Sequence, residues 1–374
     1  MKYYIIAGEA SGDLHASNLM KEMKLLVPDA TFRAWGGDLM AQQGAVLVKH
    51  YRDLAFMGFT EVVMNLRTIL KNIELCKKDL LENRPDVLIL VDYPGFNLRI
   101  AEFAKENGIR VFYYISPQIW AWKQSRVHKI KRTVDKMFVI LPFEKDFYKK
   151  FDFAVDFVGH PLLDAIAQKR SAFPSRADFL KKNNLSDKPI IALLPGSRKQ
   201  EIETMLPLML SVLPSFAEYQ FIIAGAPSQT SAYYKQVLGQ YDKPVIHDQT
   251  YELLSHAEAA LVTSGTATLE TALLKVPEVV CYKGGIISYY IARSLIKIKF
   301  ISLVNLIMDR EVVKELIQQE LNTENLTTEL KKILHTQNRQ KLLKDYEELA
   351  EILGGAGASA KAAKLMIEFS SEKK

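Results

Sequence analysis

The sequence predicts two doubly wound α/β domains in tandem, on three observations. Short β-rich apolar runs alternate with longer amphipathic segments along most of the chain, the pattern of parallel strands joined by crossover helices. The alternation restarts at Ile190 after a polar stretch, Gln168 to Lys188, in which Lys, Arg, Ser, Asn and Asp follow in quick succession. At 374 residues the chain also exceeds what one hydrophobic core commonly serves. The domain boundary is therefore expected within the polar stretch, and ligands are expected at the carboxyl ends of both sheets.

In the first half, strands are expected at Tyr3–Ala7, Val87–Val91, Val111–Ile115 and Met137–Leu141, with a weaker one at Ala45–Val48. The second half repeats the pattern at Ile190–Leu194, Phe221–Ala224, Ala259–Val262 and Glu278–Tyr282. The C-terminal third reads as helical, and "LGGAGASAKAAKLMIEF" from Leu353 reads as a glycine break followed by a last short helix.

Composition narrows the class. Hydrophobic content of 48% with 25% charged residues describes an ordinary globular protein. Cys76 and Cys281 fit neither a metal spacing nor a disulfide framework, which points to a reducing cytoplasm. The apolar run Tyr3–Ala7 is too short for a signal peptide, and no stretch of about 18 apolar residues is long enough to span a bilayer. A net charge of +6 suits nucleic acid, an anionic membrane or an anionic substrate, and selects none of them.

The first strand leads into "IIAGEASGDLHA", where Gly8 and Gly12 suggest a phosphate cradle but Glu9 and Asp13 oppose one. The loop matches neither the dinucleotide nor the P-loop pattern. A third acid, Asp92, opens "DYPGFN" directly after the strand Val87–Val91, where Pro94 and Gly95 force a turn. Three acids on one cleft suit hydroxyl recognition or proton abstraction; a plain helix cap is the competing account of Asp92.

The second half differs. "LLPGSRKQEI" sets Gly196, Ser197 and Arg198 after one strand, and "LVTSGTATLETALL" sets Ser264, Gly265 and Thr266 after another and at a helix start. Amides at a helix N-terminus with small hydroxyl side chains make an anion site, and Arg198 adds a fixed positive charge. Glu270 lies about one turn further on, where a carboxylate accepts bonds from a ribose. Helix capping explains Ser264 or Thr266 singly, but not the set.

Two stretches concern surfaces. In "FMGFTEVVMNLRTILKNI", Val62, Leu66, Ile69 and Ile73 have helical spacing, and Val63, Met64 and Leu70 widen the apolar face. A buried helix is the default, and docking into a membrane interface is the alternative. "WAWKQSRVHKIKR" from Trp120 mixes aromatic and basic residues, which suits RNA, an anionic lipid surface or simply a solvated helix.

Taken in order, "AGEASGDLHA", "LAFMGFTEVV", "VDYPGFN", "SPQIWAWKQSRVHKIK", "LPFEKDFY", "FVGHPLLD", "LPGSRKQEI", "TSGTATLETAL" and "ISLVNLIMDREVVKELIQ" resemble the blocks of the lipid-A-disaccharide synthase family. The resemblance runs from about Ile5 to beyond Gln318. It implies an inverting glycosyltransferase of GT-B fold that joins UDP-2,3-diacylglucosamine to 2,3-diacylglucosamine 1-phosphate. It further implies a peripheral protein on the cytoplasmic face of the inner membrane, with neither cofactor nor metal and no nucleic-acid partner, and allows a homodimer. An acceptor-binding domain is implied over residues 1–170 and a nucleotide-sugar domain over 186–350, with a last helix at about 354–374 able to pack back on the first.

By the same resemblance Asp92 corresponds to the proposed catalytic aspartate, with Glu9 as second choice or orienting partner. Glu9 and Asp13 face sugar hydroxyls. Arg198, Glu270 and Asn305 match nucleotide-sugar positions, and the helix around Val62 to Leu70 matches a membrane-facing patch. Tyr93 and Gly95 stand where some members carry Ala and Asp, and Thr263 where Ala is common. The absence of a D-x-D motif agrees with metal-free chemistry. Rival readings are a UDP-sugar 2-epimerase on the same fold and an RNA-binding protein using Trp120–Arg132.

Overall fold

The structure is a computed structural model that describes residues 1–54, 66–285 and 299–371, the side chains of Leu66 and Trp122 excepted. The chain divides into two compact units. One comprises residues 1–164 with the segment from Leu353 onward, the other residues 165–352.

The first unit is built on seven parallel strands: β1 (Lys2–Ala7), β2 (Thr31–Gly36), β3 (Val46–His50), β4 (Val87–Val91), β5 (Arg110–Tyr114), β6 (Lys136–Val139) and β7 (Asp156–Phe157). Their order is β3-β2-β1-β4-β5-β6-β7. The order reverses between β1 and β4, and this switch point is where doubly wound sheets open a crevice. β4 is buried along its whole length, as a strand covered on both faces must be, which explains its uninterrupted apolar run.

Strand β2 escapes sequence pattern because Arg33 interrupts it. The charge is compensated by Asp79, which takes bonds from Arg33 Nε (2.7 Å) and Nη2 (2.6 Å) and from the Tyr4 hydroxyl (2.7 Å). Asp79 lies on the helix Leu66–Asn83, whose Ile69, Ile73, Cys76 and Leu80 meet the core at spacings of three and four. Leu70 of that helix points outward, 51% exposed. The last helix, Ala358–Ser371, packs on the first, Ala10–Leu26. Asp164 fastens its start by accepting from the amides of Gly357 (2.5 Å) and Ser359 (2.8 Å).

The second unit holds six parallel strands: β8 (Ile190–Leu194), β9 (Gln220–Gly225), β10 (Val245–His247), β11 (Ala257–Thr263), β12 (Glu278–Tyr282) and β13 (Lys314–Ile317). Their order is β10-β9-β8-β11-β12-β13, with the switch point between β8 and β11. The polar stretch Gln168 to Lys188 lies inside this unit rather than between the two. It carries the helix Arg176–Lys182, which Ser175 caps and which buries Phe179 and Leu180 in the second core. The surrounding polar residues conceal that short apolar pair from a reading by composition.

Candidate active site

At the first switch point, Ala7 of β1 pairs with Val91 of β4. The chain therefore delivers Glu9 and Asp92 to the same end of the sheet from neighbouring strands. Burial raises the Asp92 carboxyl to about 6, the charge of Glu9 adds to the rise, and the Tyr93 amide opposes it. The helix after Asp92, Pro94–Glu106, begins from Tyr93 without any side-chain cap, so Asp92 does not serve as its cap.

The tip that carries Asp92 is strained and clamped. Asp92 and Tyr93 both adopt left-handed backbone, with φ of +44° and +48°, a conformation that costs a non-glycine residue about 1–3 kcal/mol. Three bonds hold it. The Asp92 carbonyl accepts from the Tyr113 hydroxyl (2.6 Å) and from Asn97 Nδ2 (2.7 Å), and its amide donates to the Tyr114 carbonyl (3.1 Å). Gly8 completes the arrangement, because a Cβ there would overlap the Tyr93 ring. The first glycine of the opening loop thus admits an aromatic ring.

Asp13 is turned the other way. It is buried, and its carboxylate accepts from the amides of Gly37 (2.8 Å), Leu39 (3.1 Å) and Met40 (3.1 Å) at the start of the helix Asp38–Gln42. Sequence reasoning gave Asp13 to sugar hydroxyls; here both its oxygens are committed to backbone amides of a neighbouring loop.

At the second switch point, Leu194 of β8 pairs with Val262 of β11. The Gly196–Arg198 and Ser264–Thr266 turns therefore leave neighbouring strands at one end of the sheet. The helix Thr266–Leu273 starts from Gly265 with no side-chain cap, and the Ser264 hydroxyl donates instead to the Ile301 carbonyl at 3.1 Å. Capping thus fails as the account of Ser264 and Thr266. A Cβ on Gly265 would meet nothing within 4 Å, so the start of that helix is sterically open.

The Gly196–Arg198 turn is different. Its Ser197 and Arg198 amides donate to Glu201 Oε2 at 3.1 and 3.2 Å, and Arg198 Nη1 reaches Glu201 Oε1 at 3.3 Å. These amides are satisfied from within, and the exposed guanidinium pairs with the same carboxylate. Glu270 is held by the Tyr251 hydroxyl at 2.8 Å. Burial raises its carboxyl, while Tyr251 and Lys169 act against the rise.

Asn305 is fully buried and saturated. Its Oδ1 accepts from the Val312 and Val313 amides (2.8 and 3.0 Å), and its Nδ2 donates to the Val313 carbonyl (2.8 Å) and Glu315 Oε1 (2.9 Å). The nucleotide-sugar contact expected of this side chain gives way to a clamp between its helix, Leu303–Met308, and β13. In the stretch from Trp120, Lys129 and Arg132 pair with Glu102, and Lys131 donates to the Phe151 carbonyl. Val62 and Val63 lie outside the described residues, as does the Leu66 side chain; of the apolar patch, Ile69 belongs to the core and Leu70 to the surface. Among the described residues no group of three or more His, Cys, Asp or Glu is placed to hold a metal ion.

A family model described as lipid-A-disaccharide synthetase matches residues 3–369. The chain belongs to this family. A lipid-A-disaccharide synthase of Syntrophus aciditrophicus is 42% identical over 368 residues, covering 96% of this chain and 95% of that one. One from Myxococcus xanthus is 37% identical, covering 98% and 96%. Among solved structures, a UDP-GlcNAc 2-epimerase from Neisseria meningitidis bound to UDP-GlcNAc superposes with a TM-score of 0.71 at 12% identity, covering 98% of this chain and all of the other. The calicheamicin glycosyltransferase CalG4 gives 0.61 at 14%, covering 99% of each. At such identities the likeness establishes the fold alone: this member of the lipid-A-disaccharide synthetase family has the two Rossmann-like domains of GT-B proteins.

Two residues of the site are invisible to sequence reasoning: Tyr113 holds the Asp92 carbonyl and Tyr251 holds Glu270, yet each is an ordinary strand or helix residue at no recognisable spacing. Asn97, the other support of the Asp92 carbonyl, closes the "VDYPGFN" block. Glu201 carried a signal, a carboxylate three residues after the N-cap residue Arg198, the spacing of a capping box.

Proposed function

We propose that this chain is an inverting glycosyltransferase of lipid A biosynthesis, joining UDP-2,3-diacylglucosamine to 2,3-diacylglucosamine 1-phosphate with release of UDP. Membership of the family supports the reaction, and the delivery of Glu9 and Asp92 to one end of the sheet by the paired strands β1 and β4 is the observation that carries the mechanism.

The acceptor 6-hydroxyl attacks the anomeric carbon from the face opposite UDP, giving a β-1,6 linkage. An alcohol is a weak nucleophile, so its proton passes to Asp92 as attack proceeds. A carboxyl near 6 is a stronger base than an ordinary aspartate and is still ionised at neutral pH. Glu9, on the neighbouring tip, keeps that basicity up and accepts a bond from the acceptor sugar. Charge developing on the departing diphosphate meets the uncapped start of the helix Thr266–Leu273, with Ser264, Gly265 and Thr266, and the guanidinium of Arg198 beside Ser197. Glu270 binds the ribose.

The lipid substrates require access to a membrane. Among the described residues no helix is long and apolar enough to cross one, and the exposed Leu70, flanked by Arg67 and Lys71, suits peripheral contact with an anionic cytoplasmic leaflet. The experiment is UDP release by the purified protein with and without the monosaccharide phosphate acceptor. Acceptor-dependent release with a disaccharide product is expected. Turnover of unacylated UDP-N-acetylglucosamine alone would replace this reading with that of a UDP-sugar epimerase.

A further inference from the structure

The tips of β5 and β6 carry a buried polar cluster to which the mechanism above gives no part. Glu144, 1% exposed, turns its Oε2 back to the amides of Ile140 (3.2 Å) and Leu141 (3.0 Å), where the chain leaves β6. The Ser116 hydroxyl, buried in the segment that leaves β5, is placed to donate to the Pro117 carbonyl at 3.1 Å. Ser116 Oγ and the Tyr148 hydroxyl are hydrogen-bonded at 2.7 Å. The Tyr113 hydroxyl, also from β5, donates to the Asp92 carbonyl at 2.6 Å.

Buried hydrogen bonds therefore hold the end of β6, the segment that leaves β5 and the backbone of Asp92 in turn. Strain lies along the same edge. Ile115, at the end of β5, has φ of +63°, the left-handed region that a β-branched residue avoids unless its surroundings enforce it. Its amide donates to the Phe138 carbonyl of β6 at 3.1 Å, just as that of Asp92 donates to the Tyr114 carbonyl of β5. Each strained tip is thus tied to the next strand outward, and Glu144 holds the chain where it leaves β6.

We propose that Glu144 is a positioning residue for the transfer reaction: by holding the chain where it leaves β6, the strand to which the Ile115 tip and through β5 the Asp92 tip are tied, it fixes the strained backbone that aims the Asp92 carboxylate. The inference rests on the reading of Asp92 as the base. The groups that face Asp92 are Glu9 from the β1 tip, Tyr93 next in the chain and Tyr113 from β5, whose hydroxyl also feels Arg126 of the helix Arg126–Thr133. Glu144 reaches Asp92 only through the backbone.

The test compares E144A, E144Q and Y148F with D92N, measuring kcat, KM for the UDP-sugar, the acid limb of the pH profile and the melting temperature. In folded E144A, kcat falls about a hundredfold, the loss typical of an ångström-scale misplacement of a reacting group. KM changes little, and the acid limb moves below its wild-type position as Asp92 relaxes toward water. E144Q, which keeps an oxygen for the two amides, recovers most of kcat. Y148F lacks only one hydroxyl and loses about tenfold by the same positioning argument. An inactive D92N beside an E144A of wild-type kcat and unshifted limb overturns the role of Glu144 alone. If E144A does not fold, a Y148F of wild-type kcat and limb overturns it equally. Wild-type turnover by D92N overturns the base assignment, and this inference with it.

Discussion

Glu9 and Asp92 leave adjacent parallel strands almost at one level, Glu9 two residues beyond Ala7 and Asp92 one beyond its register partner Val91. Two carboxylates so placed disfavour each other's ionisation. Burial together with the charge of Glu9 raises Asp92 to about 6. A carboxyl of intermediate acidity results from topology, because the switch point of the sheet sets the two tips side by side.

A base must be ionised to act, so kcat/KM falls as pH drops through about 6. E9Q removes the like charge and lowers the Asp92 carboxyl, moving this limb to more acid pH. D92N keeps the shape of the tip and loses the acceptor, and turnover falls by about 10²–10⁴-fold, the usual worth of general-base catalysis. A pH–rate profile of the three proteins checks the assignment; an unmoved limb in E9Q would separate Glu9 from Asp92.

Asp13 supports the fold. D13A deprives the Gly37, Leu39 and Met40 amides of their acceptor. About 2 kcal/mol of stability is lost, the worth of bonds to a charged group. Urea unfolding measures this. A D13A protein of wild-type stability but lost acceptor affinity would return Asp13 to the sugar site.

Much of the frame was legible in the sequence because buried parallel strands must be apolar throughout. Ile190–Leu194 and Val87–Val91 announce their own ends. β2 was hidden by Arg33, whose charge is cancelled by Asp79, 46 residues away. At the site, pattern located the carboxylates but not their orientation: Asp13 and Glu9 look alike in "GEASGD", and only the fold shows that one faces a helix start. Asn305 was hidden for the same reason, since its four bonds go to residues that no motif joins to it.

N305A removes those four bonds from a buried position, leaving the Val312 and Val313 amides without an acceptor. Thermal melting registers a loss of about 2–4 kcal/mol, one to two unsatisfied buried groups' worth. UDP binding by whatever fraction remains folded stays near wild type. Full stability with lost UDP affinity would instead make Asn305 a direct ligand.

Y251F withdraws the hydroxyl that donates to Glu270, and the buried carboxyl rises further because a group that favours its charged form has gone. A ribose contact made by that carboxylate weakens by about 1 kcal/mol, one ordinary hydrogen bond, or roughly fivefold in affinity. KM for the UDP-sugar rises accordingly while kcat holds. A changed kcat with unchanged KM would detach Glu270 from substrate binding.

Glu278 opens β12 fully buried, with neither carboxyl oxygen hydrogen-bonded. Burial raises it well above its ordinary 4.5 and so favours its neutral form. The sign follows from linkage. Because the folded value exceeds the unfolded one, the stabilisation is complete below about 4.5 and is lost as pH rises toward the folded value. Over that window the wild type loses about 1.4 kcal/mol per pH unit from this group. E278Q, which cannot ionise, lacks the loss, so the two proteins melt alike near pH 4 and E278Q melts higher at pH 8. Parallel melting curves across that range would mean that Glu278 ionises in place.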